Sequence, residues 1–318
     1  MAPRHPLAER TWSGAALVAT SALLFAFNGV VSKTALQAGL GSTHLVLLRT
    51  VGAALVLFAL AAAVSRPALR ATPRELAVLA VLGVVGVALV QWLYFVAIGR
   101  LHVGVGLLLE FTAPLMVALW ARFVLGETVR GRVWLALVLS LIGLTMVAQI
   151  GRGVSLDAVG VAAGLGAAVA LATYYLLGER LLHGRDAWST MSWSMGFAGL
   201  FWLLLGRPWT LDGALLTSPV DVPGTSVQAP LWLFVAWVVL LGTVAPYACV
   251  VLGLSRVGAA RAGLIGTVEP VLASAFAWAL LSEVMTPLQV LGGIVVLVGV
   301  LLAESARTAR RARRQVAD

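Results

Sequence analysis

Two carboxyl groups, Glu110 and Glu269, lie inside long apolar stretches of the chain, and so does one arginine, Arg49. A carboxylate within such a stretch is costly unless it is protonated, paired or hydrated. A group of this kind can carry a proton or hold the ammonium of a substrate. Arg49 offers the complementary charge. It either pairs with Glu110, which lies at a similar depth, or snorkels along its own stem to the outer interface. Gln91 and Tyr94 stand three residues apart, hence on one helix face, at the depth of Glu110. Asn28, Tyr174 and Tyr247 add further polar groups. These residue types suit reversible binding of a small polar solute and proton carriage. The structural alternative for each is an interhelical hydrogen bond. Lys33, at the end of its stretch, is expected to snorkel. Trp92, Trp120, Trp193 and Trp202 carry less weight, because aromatics are enriched at membrane interfaces.

Other chemistries lack their residues. The four histidines are scattered at His5, His44, His102 and His183, with no metal-ligand spacing, so no metal site is expected. The single cysteine, Cys249, excludes an intramolecular disulfide. There is no Walker-type phosphate loop, and no cofactor is expected. An intramembrane enzyme would need a Ser/His pair or clustered carboxylates. The two glutamates have no histidine partner within the apolar stretches, so the chain is not read as an enzyme. A non-transporting scaffold or sensor is the other rival; it would tolerate neutral replacement of the intramembrane charges.

The elements that must position these groups follow from composition. Of 318 residues, 61% are hydrophobic and 11% charged, and the mean hydropathy is +1.00. A soluble domain carries about a quarter charged residues. Crossing a hydrocarbon core takes about 20 apolar residues. Ten stretches qualify: 13–35, 44–64, 76–98, 103–124, 132–150, 158–179, 188–206, 230–253, 260–281 and 287–304. They are apolar all round, which excludes the alternation of barrel strands. Segment 207–229, with Pro208, Pro219, Pro223 and Gly224, reads as a surface loop.

The net charge of +9 suits a membrane surface better than nucleic acid, and no nucleic-acid partner is expected. Placing the N-terminus in the cytoplasm puts most arginines inside, including those of the basic tail 304–318, and leaves Lys33, Arg100, Arg152 and Arg207 outside. Both termini are thus expected in the cytoplasm, with the tail against anionic lipid.

The chain also repeats itself. "LLLEFTAPLMVALWARFVLGE" (107–127) aligns without a gap on "GLIGTVEPVLASAFAWALLSE" (263–283). Pro114 falls on Pro270, Glu127 on Glu283, Gln91 on Tyr247 and Gly143 on Gly299. Glu110 falls on Gly266 and Glu269 on Ala113, so neither acid belongs to the repeated pattern. Each half holds five spans. An odd number inverts the second half, the arrangement of many secondary transporters. Pro114 and Pro270 each remove a helical hydrogen bond near mid-span, and symmetry-related kinks there are candidate hinges.

Each half resembles one EamA domain of the drug/metabolite transporter superfamily. The resemblance rests on the fourth-helix proline, the helix end Leu125-Gly126-Glu127 or Leu281-Ser282-Glu283, and the glycine-containing fifth helix. Ser282 departs from the family's glycine. "LEFTAP" (109–114) and "VEP" (268–270) resemble the threonine/homoserine exporter branch. The resemblance covers 14–148 and 157–303. It implies an all-α membrane protein of ten transmembrane helices in two inverted five-helix repeats, lodged in a bacterial inner membrane. It further implies export or import of a small metabolite or drug-like molecule by a secondary transporter through a central cavity between the halves; export is the direction expected, with amino acids or related amines among the candidate solutes. The substrate sites expected are Glu110, Gln91, Tyr94, Arg49, Tyr247, Asn28 and Tyr174, with proton coupling at Glu269 and Glu110. The partners expected are that small molecule and membrane lipid; a homodimer is compatible with the sequence.

Overall fold

The computed structural model describes residues 6–64, 69–124, 131–148, 157–181, 186–257, 262, 265–266 and 268–317. The fold is all-α. Helix α1 spans Pro6–Gln37 and α2 spans Ser42–Val64. Helix α3 runs through Pro73–Val81, a π-helical segment Leu82–Leu89, and Val90–Arg100. Helix α4 is broken into Val103–Glu110 and Ala113–Phe123. Helices α5 (Gly131–Ala148), α6 (Ala158–Leu181) and α7 (Ala187–Leu205) follow. Helix α8 comprises Leu231–Val239, a π-helical segment Leu240–Val244, and Ala245–Val257. Glu269–Leu281 forms α9 and Pro287–Ala317 forms α10.

The described residues of all ten apolar stretches are thus predominantly helical. Among the described residues, five helical runs, beginning at Ser13, Ser42, Pro73, Ala158 and Leu231, are each long and apolar enough to cross a membrane; four further apolar helices are shorter. Local signals set several starts. Thr72 and Glu75 form a reciprocal capping box ahead of Pro73. Asp186 accepts from the Ser189 N–H at 2.8 Å, and Asp157 from the Gly160 N–H at 2.7 Å. The Gly160 N–H, with Arg100 alongside, holds the Asp157 carboxyl below the ordinary aspartate value.

Packing repeats between the halves. Helix α1 lies on α8 and α9, and its counterpart α6 lies on α3 and α4. Two further pairs, α2 with α7 and α5 with α10, join equivalent helices across the pseudo-axis. The α5–α10 crossing is close because it is made of small residues. A Cβ on Gly143 would stand 2.6 Å from the Gly292 carbonyl oxygen, and one on Gly292 would stand 2.7 Å from that of Gly143. The two π-helical segments also correspond, one in the third helix of each half.

The largest core cluster runs from Ala26 and Val30 of α1 through Val46 and Leu57 of α2, Phe95 and Ile98 of α3, Met195 of α7 and Val238 of α8, to Ala273 and Ala277 of α9. The connections opposite the termini tie the bundle together there. Arg100 pairs with Asp157 at 3.3 Å, and His44 meets Thr210 at 3.1 Å. The expected loop 207–229 is ordered by short helices Pro208–Thr210 and Gly213–Thr217 and by a hairpin pairing Pro219–Asp221 with Gln228–Pro230.

Candidate substrate site

Arg49 is the anchor of the site. It is 5% exposed, on α2 facing the π-helical segment of α8. Its Nε donates to Thr243 Oγ1 at 2.8 Å and its Nη2 to the Gly242 carbonyl at 3.2 Å. Thr243 Oγ1 in turn donates to the Val238 carbonyl at 2.8 Å. The guanidinium carbon stands 5.5 Å from the centroid of the Phe95 ring. The wider turn of a π segment turns backbone and hydroxyl oxygens out of the helical ladder. Here they hold a cation with neutral groups, and Nη1 takes part in none of these hydrogen bonds.

Glu110 and Glu269 both sit at ends of described helical segments. Glu110 ends the first segment of α4. After it the chain makes a turn at Phe111 and Thr112, where Thr112 Oγ1 donates to the Leu109 carbonyl at 2.6 Å. The second segment starts at Ala113 with Pro114 in its first turn. The kink expected at Pro114 is thus a full break, since proline suits a helix start better than an interior. Glu269 opens α9, with Pro270 next to it. Both carboxyls are half-buried. Each lies within electrostatic range of Arg49, and Glu110 is within range of Glu269. No ion pair joins Arg49 to either one among the described residues. Arg49 therefore takes neither course expected of it: it neither snorkels nor pairs directly with Glu110.

The uncharged groups surround this centre from both halves. Tyr94 is 8% exposed, with its hydroxyl over Gly29. Tyr94 and Tyr247 are both within range of Arg49, Glu110 and Glu269, and Tyr174 is within range of Tyr247. Tyr247 meets Phe25 edge-on at 5.2 Å between centroids. Asn28 packs so closely on Gly242 that a Cβ there would overlap its side chain, and Tyr174 does the same to Gly86. Gly86 and Gly242 are equivalent in the repeat, so each π segment receives a polar side chain from the first helix of the other half. Gln91 is 6% exposed, and neither its Oε1 nor its Nε2 has a hydrogen-bond partner among the described residues. A buried amide in that state is costly and is well suited to a ligand.

Two readings by depth miss their partners. Thr243 and Gly242 carry no charge and stand in an apolar stretch; their only signal is the offset that places Gly242 on Gly86. Lys33 does not snorkel. It is 8% exposed and forms an ion pair with Glu283, at the far end of α9. Glu127, the counterpart of Glu283, lies with Leu125 and Gly126 outside the described residues, as does Arg152.

Apolar helices in two equivalent halves, with charged groups of both halves at the centre, define a two-repeat membrane transport protein rather than an enzyme. The chain belongs to the EamA-like transporter family, whose model matches residues 12–149 and 158–304. Among its relatives is the threonine/homoserine exporter RhtA of Escherichia coli, 28% identical over 236 residues covering 71% of this chain and 68% of that protein. Two uncharacterized transporters of Bacillus subtilis are also similar. YwfM is 27% identical over 71% of this chain and 72% of its own, and YdfC is 29% identical over 81% and 80%. A protein of known crystal structure shares the fold with a TM-score of 0.59 at 19% identity, covering 94% of this chain and 98% of the other.

Proposed function

We propose that this protein is a secondary transporter that exports small zwitterionic metabolites, amino acids or close amine relatives, by alternating access across a bacterial inner membrane. The observation that carries the reading is the charge layout of the site. Arg49 is fixed by neutral ligands and faces two half-buried carboxyls without touching them. An amino acid fits such a gap, its carboxylate on the guanidinium and its ammonium toward Glu110. Gln91 supplies an unsatisfied amide for the solute's polar side chain. Glu269 carries the proton, and breaks at Pro114 and Pro270 act as hinges. The two equivalent halves give two related conformations, each open to one side. Both termini lie in the cytoplasm. The name of the Escherichia coli relative supports amino acids as the solute class.

Counterflow in proteoliposomes tests this reading. Vesicles loaded with unlabelled L-threonine or L-homoserine should accumulate the labelled compound, and Arg49→Met vesicles should not. Empty-vesicle levels for every amino acid tried would refute the substrate class.

A further inference from the structure

The ion pair between Lys33 and Glu283 lies at the end of the bundle that carries residues 206–230 and borders the site: Val103, whose N–H Glu283 accepts, and the Tyr94 hydroxyl both pack on Gly29. Lys33 is in the last turns of α1 and belongs to the first half. Glu283 follows α9 and belongs to the second. Each side chain is only 10% exposed. The pair gathers more than two helices. Lys33 Nζ also donates to the Leu101 carbonyl at 2.6 Å, in the turn between α3 and α4. Glu283 Oε2 accepts the Val103 N–H at 2.8 Å, in the first turn of α4. Two charges thus close the ends of α1, α3, α4 and α9 on one another. On the same helices, Val30, Val103, Leu107, Ala273 and Ala277 belong to one core cluster, all at most 4% exposed.

Glu283 is aimed by its backbone. Helix α9 ends at Ser282 in the left-handed conformation, φ +56°. The Ser282 and Glu283 N–H groups both donate to the Ala277 carbonyl. This reversal turns the chain back over the helix end and sets the carboxylate against α1 and α4. A carboxylate and an ammonium so buried are stable together and costly apart. An element of that kind has two states: paired and dry, or parted and hydrated. The pair is also a buried contact between the two halves at this end, where Arg100–Asp157 and His44–Thr210 are exposed ones.

We propose that the Lys33–Glu283 pair is the latch that keeps this end of the transporter closed, and that it parts once in each transport cycle. The proposal builds on the alternating-access reading, but its test needs no substrate. Spin labels at Gln37→Cys and Val284→Cys, in a Cys249→Ala background, report the α1–α9 separation in reconstituted protein. The unaltered latch should give one short, narrow distance. Lys33→Met and Glu283→Gln should each add a longer component, raising the long-to-short ratio about tenfold or more, because one charge is left buried and alone. The double variant Lys33→Met/Glu283→Leu leaves no charge to hydrate and should return the distribution toward the short distance. That recovery separates a latch from simple misfolding of the single variants. A short distance unchanged in both single variants would overturn the proposal. So would a double variant as open as the singles. Loss of transport with an unchanged distance would count against the latch while leaving the transporter reading intact.

Discussion

Arg49 shows how a charge can be built into an apolar bundle without an opposite charge beside it. Its hydrogen bonds to Thr243 and Gly242 and the Phe95 ring replace the lost water. Removing the Thr243 hydroxyl should therefore weaken the anchor more than the substrate chemistry: Thr243→Val should cost about 1.5–3 kcal/mol of stability, read by thermal unfolding in detergent. The proposed function gives the two carboxyls different roles. Glu269→Gln should abolish pH-gradient-driven flux while sparing solute binding, and Glu110→Gln should weaken binding itself. Proteoliposomes with matched insertion separate the two. Full gradient-driven flux in Glu269→Gln would remove the proton carrier, and unchanged affinity in Glu110→Gln would remove the ammonium contact. At this scale the sequence was legible wherever a residue was anomalous. A charge in an apolar stretch draws notice on its own; Glu110, Glu269 and Arg49 are of this type. Thr243 and the Lys33–Glu283 pair were not legible, because what makes them matter is a neighbour about 180 residues or more away in sequence.

Helices were the most legible elements, since apolar length is a local property. Their interruptions were legible in part. Pro114 and Pro270 announce a disturbance, yet proline alone does not say whether a helix bends or restarts; at Pro114 it restarts. The π segments left no mark, because Gly86 and Gly242 stand in uniformly apolar sequence. Their significance comes from the Tyr174 and Asn28 side chains that press on them. The end of α9 yields a prediction of its own. Ser282 has φ +56°, a region that favours glycine. Ser282→Gly should stabilise the protein by about 1 kcal/mol, seen as a higher unfolding temperature; a decrease would mean that the serine side chain itself holds the turn. At the α5–α10 crossing the opposite applies. Gly143→Leu places a side chain against the Gly292 backbone and should cost about 1–3 kcal/mol or more, read as lower yield of folded protein; normal yield and stability would deny the close crossing.

Over the whole molecule, two halves of five helices pack by equivalent contacts, and the functional groups break that equivalence. Glu110 and Glu269 have no counterparts at the repeat offset. The scaffold is thus symmetric, and the placement of its two intramembrane acids is not. The arginine distribution predicts that both termini face the cytoplasm. Single cysteines at Thr225 and Ala309, in a Cys249→Ala background, should differ on intact cells: an impermeant thiol reagent should label position 225 and not 309, and the reverse would invert the topology. The central claim is that one site reads both ends of a zwitterion. Its most direct test is competition against labelled threonine counterflow by three compounds: threonine, its carboxyl amide, and the hydroxy acid that lacks the amine. Threonine should compete best. Each singly charged analogue should be weaker by about 100-fold, because each leaves a buried charge unmatched. An amide or hydroxy acid that competes as well as threonine would contradict the account.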